Sequence, residues 1–61
     1  MILAVKKDGT VYEVVGCDGL NPISILEDKS GKQHYEYDRN IKIVFADRQP
    51  ELFKELLEKR I

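Results

Sequence analysis

The pattern of apolar residues changes its period near Phe45, and this change limits what the chain can fold into. Before this point, short alternating segments are separated by turn residues, and after it one amphipathic segment runs to Ile61. Alternation with a period of two is typical of strands, whereas spacings of three and four residues are typical of a helix. The sequence therefore predicts a mainly β domain with one C-terminal helix.

The strongest local signal is the Asp8-Gly9 pair between two β-prone segments, residues 2–6 and 10–15. An Asp-Gly pair marks a tight hairpin turn, because glycine accepts the positive φ that the turn needs. Both faces of the second segment carry apolar side chains. We therefore predict a hairpin whose second strand lies centrally in a sheet.

A loop that contains two glycines and an Asn-Pro pair follows this hairpin over residues 16–22. Two β-prone segments around a Ser-Gly turn then predict a second hairpin, and one more segment precedes the helix. These last three strands are predicted at residues 23–27, 33–38 and 41–45.

The fourth strand alternates cleanly between two faces, with Tyr35 and Tyr37 on one and His34 and Glu36 on the other. Because the tyrosine face is the more apolar, we expect it to point into the core. On the fifth strand, we expect Val44 to lie on the outer face, under the helix.

The C-terminal helix is predicted at residues 50–61. Pro50 suits the first helical position, and Gln49 or Asp47 are the nearest capping candidates. A helix this short is marginal in isolation, so we expect it to dock on its own β domain. The docking stripe comprises Leu52, Phe53, Leu56, Leu57 and Ile61.

The length of the chain allows a single domain, which we predict over residues 1–61. A domain of this size buries only about 60% of the surface of its unfolded chain, so nearly every apolar residue is needed for packing. The formal net charge is −1, from ten basic and eleven acidic residues that are interspersed along the chain. Long-range attraction to phosphate is therefore weak.

The single cysteine, Cys17, excludes an internal disulfide and favours a reducing, cytoplasmic setting. The first residues lack the pattern of an export signal. No apolar run approaches the length of about 18 residues that a membrane-spanning helix needs. We expect no association with a membrane.

Reactive groups are few. Cys17 and His34 are the only residues that would form a thiol–imidazole pair, and an ordinary loop cysteine with a strand-surface histidine is the commoner interpretation. A metal site would need both residues and Asp18, without the paired spacing of metal-binding motifs. We therefore predict no enzyme, and no catalytic, cofactor-binding or metal-binding residue.

Aromatic and basic residues of the predicted sheet indicate two kinds of binding. Tyrosines interleaved with cations suit a nucleic acid, because rings stack on bases while cations hold the backbone, although acidic residues on the same strands repel phosphate. The competing interpretation places at least two of the three tyrosines in core or half-buried positions. The residues concerned are Tyr12, Tyr35, Tyr37, Lys6, Lys7, Arg39 and Lys42.

The loop residue Leu20 either tucks into the domain or projects from it. If it projects, Leu20 and an unpaired edge strand would recruit a protein by strand addition.

The order of elements, together with the tail from Pro50 to Lys59, resembles the archaeal 7-kDa chromatin proteins. The resemblance implies a small SH3-like five-stranded barrel, made of a β-hairpin and a three-stranded antiparallel sheet and capped by the helix. Those proteins are strongly basic and bind DNA with an exposed tryptophan, whereas this chain has no tryptophan and a net charge of −1. We carry over the fold and no binding residues.

The leading hypothesis is a small non-catalytic protein-interaction module or accessory protein, of a kind often encoded by phages or mobile elements. The alternative is a nucleic-acid-binding module that uses the tyrosines and lysines of the sheet surface. Association with a second copy of the chain is compatible with its small size. The predicted partner-contacting residues are Leu20, Tyr35, Tyr37, Arg39 and Lys42.

Overall fold

The computed structural model describes residues 1–61, which form five strands and one α-helix. A 3₁₀ turn at Asp38–Asn40 links the fourth strand to the fifth. The predicted mainly β fold with one C-terminal helix is confirmed. The elements are β1 (Ile2–Lys6), β2 (Val11–Cys17), β3 (Ile23–Glu27), β4 (Gln33–Tyr37), β5 (Ile41–Phe45) and α1 (Pro50–Lys59).

The strands form one antiparallel sheet in the order β4-β3-β2-β1-β5. β2 lies centrally, as predicted. β5 pairs with β1, from Ile2 opposite Phe45 to Lys6 opposite Ile41, so no separate three-stranded sheet exists. The reason lies in the 3₁₀ turn, which redirects the chain instead of folding β5 back on β4 as a tight hairpin turn would. Because β4 and β5 remain the two edges, the sheet is not closed into a barrel.

The turn between β1 and β2 confirms the Asp-Gly prediction. Gly9 has a φ of +89°, and its N–H donates to the carbonyl of Lys6 over 2.9 Å. The carboxylate of Asp8 accepts hydrogen bonds from the backbone N–H of Thr10 at 3.0 Å and from its hydroxyl at 2.6 Å. A side-chain cap and a left-handed glycine thus fix the register of the first hairpin.

The strand β2 is longer than predicted, because it continues through Gly16 to Cys17. Its register against β3 shifts between Val14 and Gly16, so that Val15 forms a bulge and is exposed. The bulge accommodates the close approach of Gly16 to Ile25, whose Cδ1 would lie 3.2 Å from an added Cβ. The sequence reads as a loop here because glycine is common in turns, but bulges use it as well.

The helix α1 packs against β5, β1 and β2, which confirms that it docks on its own domain. Beneath it, Leu3 and Val44 are paired across β1 and β5 and are fully buried. Val11 of β2 is also fully buried. Gln49 occupies the N-cap position without a side-chain hydrogen bond, so neither predicted capping side chain stabilises the helix start.

The predicted helix is too long, because α1 ends at Lys59 and the next residue, Arg60, has an extended backbone. Arg60 forms a parallel bridge with Val11, and the N–H of Ile61 donates to the Val11 carbonyl at 3.0 Å. The carbonyl of Ile61 accepts a bond of 3.1 Å from the N–H of Lys29. The tail thus satisfies the Val11 carbonyl of β2, which precedes the residues of β2 that pair with β3 and which another helical turn would leave open.

Replacing Gly9 with alanine is expected to lower the free energy of unfolding by about 1–2 kcal/mol, because an L-residue is strained at positive φ. Gly19 is the matched control, since its φ is not positive and nothing lies within 4 Å of an added Cβ. Gly19→Ala should leave stability unchanged or raise it by up to about 1 kcal/mol. Urea unfolding measures both variants, and equal stabilities would contradict the assigned turn.

Removing the Arg60 side chain is expected to cost about 1–2 kcal/mol of unfolding free energy. Its Nη2 lies 3.2 Å from Oε1 of Glu13, and both side chains are largely shielded from solvent. Lys59→Ala is the comparison, because Lys59 forms an exposed ion pair with Glu55 over 4.0 Å. Loss of this exposed ion pair should cost less than about 0.5 kcal/mol of unfolding free energy. Denaturant titration that ranks the two variants in the opposite order would refute the tail's role.

Candidate binding surface

The alternation of β4 is confirmed, but its assignment to faces is reversed. Tyr35 and Tyr37 are 67% and 46% exposed, so the prediction that they point into the core is wrong. His34 and Glu36 share the other face with the fully buried Leu26 and the buried Ser24 of β3. The polar residues of β4 therefore face inward and the aromatic ones face solvent.

Specific partners explain why polar residues occupy the inner face. The carboxylate of Glu36 lies 3.6 Å from Nζ of Lys6 and accepts a hydrogen bond of 3.0 Å from the side-chain amide of Asn40. The ring of His34 stands edge-on to that of Tyr12, with 4.8 Å between centroids. Because most of these polar groups have partners, burying them costs less free energy than burying unpaired polar groups would.

The residues Ile23, Tyr35 and Tyr37 form the tyrosine face on the outer side of the β3–β4 hairpin. Ile23 lies directly opposite Tyr37 in the ladder. Together with Glu36, they line a shallow depression of about 170 Å³. Sequence reasoning missed Ile23, which only the register of β3 against β4 reveals.

Leu20 projects from its loop and is 94% exposed, so the tucked-in alternative is wrong. The loop is nevertheless ordered by Asp18, whose carboxylate accepts a bond of 3.0 Å from the N–H of Leu20. Its far end is tied down where the N–H of Asp38 donates to the carbonyl of Pro22 over 2.8 Å. This bond brings the loop to the Tyr37 end of β4.

A depression of about 330 Å³, here called the basic depression, lies where β1 ends and β5 begins. Of its four cations, only Lys6 forms an ion pair. Arg39 joins the basic depression to the tyrosine face, because its guanidinium carbon lies 4.7 Å from the centroid of the Tyr37 ring. The lining residues are Val5, Lys6, Lys7, Arg39, Asn40, Ile41 and Lys42.

The predicted partner-contacting residues are thus partly assembled by the fold. Tyr35, Tyr37, Arg39 and Lys42 follow one another along β4, the 3₁₀ turn and the start of β5. Leu20 stands apart on its own loop, near the same end of β4.

Reactive side chains do not converge. Cys17 lies opposite Ser24 and is exposed, whereas His34 lies opposite Leu26, and no hydrogen bond joins Cys17 to His34. No three of the His, Cys, Asp and Glu side chains lie close enough together to hold a metal ion. The one α-helix is too short and too polar to cross a bilayer.

A scan against family models finds no match to this chain. No curated protein and no solved structure is significantly similar to it either. Its function therefore has to be argued from the residues and geometry of its own surface.

Acidification is expected to destabilise the fold. Asp8, Asp18 and Asp28 each accept a hydrogen bond from the residue two positions on, which lowers the pKa of each carboxyl group. The Asn40 amide is the main cause of a lowered pKa at Glu36, against the opposing effect of desolvation. Because these groups bind protons more weakly when folded, their stabilisation is present at neutral pH and is lost as pH falls below about 4.

Thermal unfolding followed from pH 7 to pH 3 measures this loss. Glu36→Gln should melt with a smaller dependence on pH over the acidic part of that range, because one of the four carboxyl groups is removed. A melting temperature that stays constant or rises on acidification would contradict the assignment.

Proposed function

We propose that this chain is a small, non-catalytic interaction module that binds another protein through the tyrosine face. The observation that carries the proposal is the exposure of Tyr35 and Tyr37, side by side on a regular strand. Tyrosine is enriched at protein interfaces because its ring offers a large apolar area with few rotatable bonds, and its hydroxyl pairs at the rim. The strand fixes the backbone positions of both tyrosines before a partner arrives, which limits the entropy lost on binding.

The free edge of β4 adds to this surface. β4 pairs only with β3, so one side of its backbone has no strand partner. An extended segment of another protein would extend the sheet there through main-chain hydrogen bonds. Leu20, which is exposed near the Tyr37 end of β4, supplies an apolar contact for such a segment.

The SH3-like architecture belongs to this proposal. It is supported by the order of elements and by the two edge strands, which are consecutive in sequence and are joined by the 3₁₀ turn alone. Such a short link keeps one end of β4 near β5, so the sheet curls towards closure without completing a barrel. The resemblance to the archaeal chromatin proteins and the cytoplasmic setting remain predictions.

Nucleic-acid binding is the second candidate, because exposed Tyr37 lies beside the uncompensated cations of the basic depression. Aromatic rings next to cations on a sheet surface are typical of single-strand binding. The net charge of −1 and the acidic residues around Lys6 oppose this function. We therefore rank it below a protein partner.

The test compares proteins captured by the immobilised chain and by its Tyr35→Ala/Tyr37→Ala variant from a nuclease-treated lysate of cells that express it. At least one captured protein should be depleted about thirtyfold in the variant, because aromatic hot spots contribute about 2 kcal/mol or more. Both tyrosines are exposed, so the variant should keep its fold, and circular dichroism checks this.

The matched control is Lys29→Ala/Lys32→Ala, which changes two exposed residues in the turn at the opposite end of the β3–β4 hairpin. It should retain the partner at the level of the unchanged chain. Equal capture by the tyrosine variant, or capture that occurs only when the nuclease is omitted, would disprove the proposed function.

A further inference from the structure

We infer that the basic depression receives carboxylate groups of an acidic segment of the partner protein, which continues from the tyrosine face across Arg39. This inference rests on the proposed function and adds the chemistry of the partner. It depends on three features of the structure: unpaired cations, their connection to the tyrosine face, and the acidic groups that border them.

Three of the four cations of the basic depression are not neutralised within the chain. Lys6 is paired with Glu36 at 3.6 Å, but Lys7, Arg39 and Lys42 take part in no ion pair. All three of these side chains are exposed. Like charges held around one concave surface repel each other and concentrate the positive potential, so the depression attracts anions.

The position of Arg39 connects this site to the tyrosine face. Its guanidinium group lies over the ring of Tyr37 and also lines the basic depression. Stacking on the ring restricts the long side chain while its N–H groups stay free for a carboxylate, which the guanidinium binds with two parallel hydrogen bonds. A segment that covers Tyr37 therefore reaches the cations within a few residues.

The surroundings favour an acidic protein segment over a nucleic acid. Asp8 and Glu36 line an adjoining depression of about 280 Å³ with Lys6, Lys7 and Asn40. Hydrogen bonds lower the pKa of both carboxyl groups, so both are ionised at neutral pH. A nucleic acid has a phosphate at every nucleotide and meets this repulsion, whereas a peptide places isolated carboxylates between neutral residues.

The experiment titrates the isotope-labelled full chain and follows its amide chemical shifts. The probes are a short peptide of alternating glutamate and threonine, its counterpart with glutamine in place of glutamate, and an oligothymidylate of similar length. We expect the glutamate peptide to shift Lys7, Arg39 and Lys42 at physiological salt, and the glutamine peptide to bind about tenfold more weakly.

The variant Lys7→Gln/Arg39→Gln/Lys42→Gln should bind the glutamate peptide about tenfold more weakly than the unchanged chain. Lys29→Gln/Lys32→Gln/Lys54→Gln is the matched control, because it changes the net charge equally at exposed positions outside the depression. It should bind like the unchanged chain.

Three outcomes would overturn the inference. Equal weakening by both triple variants, or no shift at the depression, would show that it selects no carboxylate. Tighter binding of the oligothymidylate at the same residues would assign the site to nucleic acid. None of these results alters partner capture through Tyr35 and Tyr37. Failure of the inference can therefore be distinguished from failure of the proposed function.

Discussion

The pairing of β5 with β1 is the interaction on which the rest of the structure depends. It follows from the 3₁₀ turn at Asp38–Asn40, which carries the chain away from β4. With β5 on the far edge, Val44 lies beside Leu3 and both are covered by α1. The same pairing leaves β4 as the opposite edge, where one side of its backbone has no strand partner and its tyrosines are exposed.

The C-terminal segment shows how a short chain completes a small core. Only five apolar residues are fully buried, so the half-buried Leu52, Phe53 and Leu56 of α1 contribute much of the available cover, whereas Leu57 and Ile61 of the predicted stripe are exposed. The extended tail then joins β2 to the turn after β3 through backbone hydrogen bonds. Helix and tail thus hold together three parts of the sheet that are distant in sequence.

The candidate binding surface exists because the two faces of β4 point in the directions opposite to those predicted from the sequence. Polar residues lie on the inner face because Lys6, Asn40 and Tyr12 pair with them there. The tyrosines are consequently displaced to the outside, where they cover no core. A small domain needs nearly every apolar residue for packing, so the exposure of these aromatic side chains supports the proposal that the surface serves binding.

The sequence by itself determined the five strands, the first hairpin and the start of the helix. These features depend on local chemistry, such as the Asp8-Gly9 turn and the alternation of β4, and local chemistry can be read from neighbouring residues. The candidate residues Tyr35, Tyr37, Arg39 and Lys42 were also found from their residue types.

Only the tertiary structure decided which strand β5 pairs with, which face of β4 is buried and how the chain ends. Each of these depends on contacts between distant residues: Ile41 with Lys6, Glu36 with Lys6, and Ile61 with Val11. A period of two separates the two faces of a strand but does not say which face is buried. The partners that make burial of a carboxylate favourable come from other parts of the chain. The clustering of Lys7, Arg39 and Lys42 likewise exists only once β5 lies beside β1.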